Sequence, residues 1–63
     1  MDKQKREEYL QLANSGISPL EFYSRLILEE VSKFDAYVLL RDGFGFSLPQ
    51  CTVVSQQFEA NQG

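Results

Sequence analysis

The chain is expected to be all-α, with a short N-terminal helix, a long central amphipathic helix and a weak C-terminal helix. Ser18-Pro19-Leu20-Glu21 is a helix-start sequence, and apolar residues downstream of it recur with a helical period as far as Val38. A second start of the same grammar, Ser47-Leu48-Pro49-Gln50, stands near the C-terminus.

The first element runs from Met1 to Ala13. Lys3, Lys5 and Arg6 precede Glu7 and Glu8, and Tyr9, Leu12 and Ala13 share one helical face. Its basic start opposes the helix dipole, so its first turn is expected to fray. The basic cluster reads as a solvated helix end, with a phosphate contact as the alternative. Asn14-Ser15-Gly16 ends the helix. Ile17, just before the next cap, is placed to staple onto Phe22.

In the central element, the Ser18 side chain can accept a bond from the amide of Glu21, while Pro19 brings a preset helical φ to the first position. Leu20, Ile27, Val31, Phe34 and Val38 follow at steps of seven, four, three and four, on one face. Tyr23, Leu26, Tyr37 and Leu40 widen that face. Glu29 and Lys33 form an acid-before-base pair at helical spacing. A helix is expected from Pro19 to Lys33, continuing to about Arg41 with Gly43 as the left-handed residue beyond its end. The rival reading is α+β: two helices followed by a β-hairpin around Asp42-Gly43, pairing Leu39 with Phe46 and Tyr37 with Leu48. The helical period through Phe34 and Val38 favours the helix.

Phe44 to Pro49 is a connection rich in glycine and aromatic residues. Beyond it, Cys51, Val54 and Phe58 share a helical face, while Thr52, Val53 and Val54 are β-branched and pull toward strand. Residues 1–58 thus read as one small domain, with Glu59 to Gly63 as a disordered tail.

At 63 residues, the chain buries only about 60% of its unfolded surface and is marginal alone. It has one cysteine, Cys51, and no histidine, so neither a disulfide framework nor a metal-ligand cluster is expected. No cofactor is expected. Catalysis has little to stand on: Cys51 lacks a histidine partner, and the adjacent Glu29 and Glu30 point apart on a helix. Yet 43% of the residues are hydrophobic and 13% aromatic, a folding composition. The net charge of −3 disfavours nucleic acid and anionic membrane. No apolar run reaches a membrane span, and the charged N-terminus lacks a signal-type apolar core. With a single cysteine, a reducing cytoplasm is the expected compartment.

Leu12-Ala13-Asn14-Ser15-Gly16-Ile17-Ser18 resembles the turn of helix-turn-helix proteins, and Phe22 fits the apolar site of their second helix. The chain departs from that pattern at Leu12, where a small residue is usual, and at Arg25, where a buried aliphatic is usual. The resemblance implies a small transcriptional regulator, but Glu21, Glu29 and Glu30 on the would-be recognition helix would repel phosphate. In length, acidity and its single cysteine, the chain also resembles the short early-region proteins that lambdoid bacteriophages encode between their exonuclease and excisionase genes. That resemblance implies a modulator of host replication, cell cycle or the lysis–lysogeny choice, acting in the host cytoplasm on a bacterial protein.

The expected function is therefore non-enzymatic protein–protein interaction. The candidate surface comprises Leu20, Tyr23, Ile27, Val31, Phe34, Val38, Phe44 and Phe46. A homodimer is expected, because a single straight apolar stripe of this length exceeds what the flanking segments can cover.

Overall fold

The structure, a computed structural model, describes residues 2–62. It consists of α1 (Lys3–Ala13), α2 (Pro19–Leu28), α3 (Lys33–Phe44) and α4 (Leu48–Gln62). The all-α expectation holds, and the β-hairpin alternative does not: Asp35 to Asp42 lie inside α3, and no strand occurs among the described residues. α1 lies mainly on α3, and α2 packs against both α3 and α4. None of these helices is long and apolar enough to cross a membrane.

The central stretch is two helices rather than one. Ser18 begins α2 as expected, its Oγ accepting from the Glu21 amide at 3.2 Å with Pro19 at the first position. The helix then stops at Leu28. Glu30 takes a left-handed φ of 63°, its amide donates to the Ile27 carbonyl, and the Val31 amide donates to the Leu26 carbonyl, each at 3.0 Å. This is a Schellman closure with glutamate where glycine is usual. Ser32 then caps α3, its Oγ accepting from the Asp35 amide at 3.2 Å, and Asp35 adds negative charge to the first turn. The expected Glu29–Lys33 pair does not form across this break. Instead, Tyr9 donates to Glu29, and Lys33 bridges to Glu59 at 3.4 Å.

The break folds the apolar stretch back on itself. Phe22, Leu26, Ala36, Leu39 and Leu40 form the centre, joined by Tyr9 and Ala13 from α1 and by Cys51 and Val54 from α4. Leu20, Ile27 and Val31, expected on a common exposed face, are partly buried against this core. The Tyr23 hydroxyl donates to Ser55 Oγ at 3.3 Å inside the core. Among the described residues, no buried side-chain polar atom lacks a partner, as burial demands.

Gly43 is not the residue beyond the helix end. It lies within α3, and Gly45, with φ 71°, takes the left-handed position. A Cβ on Gly43 would meet the Ala13 Cβ at 2.7 Å, so its lack of a side chain lets α1 and α3 approach. In α4, helix wins over the β-branched preference of Thr52–Val54. Thr52 Oγ1 donates to the Leu48 carbonyl at 3.2 Å, and Cys51, Val54 and Ser55 are buried. The tail expected from Glu59 is corrected: α4 continues through Gln62, and Gly63 lies outside the described residues.

Candidate interaction surface

α3 places Phe34, Tyr37, Val38 and Arg41 at i, i+3, i+4 and i+7, on one face. The first turn of α4 brings Leu48 opposite them and sets Cys51 at the floor. Together these six side chains line an open groove of about 260 Å³. Phe34 is 77% exposed and Leu48 68%, so two large apolar groups stand free on its walls. A second depression of about 200 Å³ is lined by Arg6, Asp35, Val38 and Leu39.

Cys51 is only 1% exposed, and its thiol donates to the Tyr37 carbonyl at 3.6 Å. Burial pushes that thiol above its ordinary pKa, which disfavours the reactive thiolate. Cys51 therefore contributes apolar floor to the groove.

Among the described residues, Arg41 is the one charged side chain lining the groove. Its Nε donates to Asp42 Oδ1 at 3.3 Å, and the side chain remains 67% exposed. Asp42 also receives the Arg6 guanidinium from α1. The Arg6 bond holds the Asp42 carboxyl below its usual range, with partial burial opposing and Arg41 assisting. The first turn of α4, on the opposite wall, contains no acidic residue to offset the positive end of that helix. The Ser47 amide there is occupied by Gln50 Oε1 at 2.8 Å.

Of the residues read from the sequence as a surface, Phe34 and Val38 meet at the groove. Phe44 and Phe46 pack against the core instead, Phe44 edge-on to Phe22 with ring centroids 5.4 Å apart. Tyr23 is 2% exposed and offers no surface, because α2 turns it toward Ser55 and Phe58 of α4. The eight residues therefore do not form one face. Leu48 and Cys51 enter the site through the packing of α3 on α4, which no local period reports. Arg41 had a signal, since it stands one helical repeat beyond Phe34.

The turn between α1 and α2 places Gly16 at φ 93°. The α2 that follows buries Phe22, Tyr23 and Leu26 and leaves Glu21, Arg25 and Leu28 exposed. No protein-family model, curated protein or solved structure matches this chain.

Proposed function

We propose that this chain is a small, non-enzymatic interaction module whose contact surface is the groove between α3 and the start of α4. The supporting observation is the pair Phe34 and Leu48, largely exposed on either side of an apolar hollow. Isolated exposed apolar residues need no explanation, but two flanking a groove floored by further apolar side chains form a contiguous patch of the kind that marks contact sites. Their truncation would cost the fold little, because neither belongs to the buried core.

The premise of the expected homodimer has changed. It rested on one straight stripe, and the fold covers Leu20, Ile27 and Val31 without a second copy. What a second copy would still cover is Phe34, Leu48 and the groove, so self-association belongs to the same proposed surface. The resemblance to lambdoid early-region proteins makes a bacterial protein the other expected occupant, in the host cytoplasm.

The test uses Phe34→Ser combined with Leu48→Ser. The variant is expected to retain wild-type helicity and cooperative unfolding. It is also expected to lose the proteins that the wild type captures from bacterial lysate, together with any self-association seen by sedimentation equilibrium. Unchanged capture and unchanged mass distribution would overturn the proposal.

A further inference from the structure

We propose that the turn from Glu29 to Ser32 is a hinge through which two copies of this chain exchange halves, α1–α2 of each packing on α3–α4 of the other. The turns of this fold are not alike. Gly16 and Pro19 separate α1 from α2, and Gly45 and Pro49 separate α3 from α4. Glu29-Glu30-Val31-Ser32 contains neither residue type, and Glu30 makes the bend at φ 63° with its Cβ in place. A left-handed residue with a Cβ is strained, and turning helical relieves it. All four residues can sit inside a helix, and glutamate is a strong helix former. The apolar period agrees: Ile27, Val31, Phe34 and Val38 share one face only if α2 runs on into α3. Glu29 and Lys33 then also stand at i, i+4. The backbone loses nothing in the change. The Glu30, Val31 and Asp35 amides, now given to Ile27, Leu26 and the Ser32 hydroxyl, would each take the carbonyl four residues back.

A second copy is needed because the core crosses the hinge. Phe22 packs on Phe44, Tyr23 bonds Ser55 and packs on Phe58, Arg6 pairs with Asp42, and Ala13 lies against Gly43. Straightening the hinge in one chain would part all of these contacts. The opposite half of a second copy restores each of them, so exchange requires no surface that the single fold lacks. A short strained hinge with an intact set of partners is the usual setting for such exchange. As one helix, Pro19 to Phe44 would be about 39 Å long. The longest axis of the single fold is 32 Å, so the fused helix must reach beyond it. Phe34, 77% exposed in the single chain, would join Ile27 and Val31 on the face where the two fused helices cross. The exchange is distinct from docking at the groove. It opens the core, so it forms during folding at high concentration and reverses only as fast as the chain unfolds.

The test refolds the full chain from urea at micromolar and at millimolar concentration, then separates both samples by size at the same low concentration. The millimolar sample is expected to contain a dimer that survives dilution and parts at the rate of unfolding. Arg6→Asp and Asp42→Arg each set like charges across the α1–α3 contact of a single chain. An exchanged pair with one copy of each variant sets opposite charges across both such contacts. Refolded together, the two variants are expected to give at least about threefold more dimer than either alone. Glu30→Gly removes the strain of the bend and adds a helix breaker, so it is expected to lower the dimerisation constant at least about tenfold. Should the charge variants not fold alone, Glu30→Gly carries the test. A monomer after refolding at every concentration would overturn the exchange. So would a dimer that Glu30→Gly leaves unchanged, or one that forms equally from mixed and single charge variants. A dimer that falls apart at once on dilution would assign self-association to the groove and overturn the exchange while leaving the docking reading in place.

Discussion

The Tyr9 hydroxyl donates to Glu29 Oε1 at 2.7 Å, tying the middle of α1 to the residue that ends α2. Tyr9 is otherwise buried, so this bond satisfies the one polar atom its ring brings into the fold. Burial, and then the bond to the Glu29 carboxylate, push its pKa up to about 12. The folded state therefore favours the neutral phenol, whereas an unfolded tyrosine ionises near pH ~10. The stability tied to this shift is fully present below pH ~10 and is lost as the pH rises toward about 12. Urea midpoints should fall over that window in the wild type. Tyr9→Phe should be less stable by about 1 kcal/mol at neutral pH and should show a smaller fall. Equal falls in both proteins would remove Tyr9 as the cause.

Ser32→Ala should destabilise the chain by about 1 kcal/mol, because the Asp35 amide at the start of α3 loses its acceptor. For a domain of this size that is a large share of a total near 3–5 kcal/mol. Loss of the cap should fray the first turn of α3 and so loosen the Phe34 wall of the groove. Amide exchange at Lys33 to Ala36 should quicken more than exchange at Leu39 and Leu40. An unchanged urea midpoint would contradict the role given to Ser32.

The fold class and the start of α2 were legible because each rested on local chemistry. Ser18, Pro19 and Glu21 all prefer the same backbone there, and nothing distant opposes them. The break at Glu29–Ser32 was hidden for two reasons. The spacing of Ile27, Val31, Phe34 and Val38 continues a helical period straight across it, although these residues belong to two helices. The closing turn also uses glutamate at the left-handed position, so no glycine or asparagine marked the end. Ser32 followed by Asp35 was the available signal, a cap with an acidic residue three positions on. The groove was half legible. Phe34 and Val38 lie on one local face, whereas Leu48 joins them only because α4 returns across α3.

Glu30→Gly should stabilise the protein. Glu30 holds φ at 63° and is exposed, and a left-handed residue bearing a Cβ costs about 1 kcal/mol more than glycine there. Glycine relieves that cost but adds freedom to the unfolded chain, so the expected net gain is about 0.5 kcal/mol. Paired urea titrations decide the sign. A loss of stability would mean that the Glu30 side chain contributes more than its backbone costs.

Gly43→Ala should be destabilising even though it places alanine in a helix. In an open helix the exchange gains about 1 kcal/mol from propensity. Here the new Cβ would stand 2.7 Å from the Ala13 Cβ, on the helix across the contact. Neither atom is the end of a flexible chain, so α1 and α3 must separate to make room. Overpacking of this kind costs about 1–3 kcal/mol, which outweighs the propensity gain. Separation would also strain the Arg6–Asp42 ion pair and the Tyr9–Glu29 bond, which hold α1 to α3 and to the end of α2. Ala13→Gly removes the opposing methyl. Alone it should cost about 1 kcal/mol by helix propensity, but in the Gly43→Ala background it should restore stability. A double-mutant cycle read by urea midpoints would then give a coupling of about 1 kcal/mol or more. Strict additivity would show that Gly43 is not the close-approach point between the two helices.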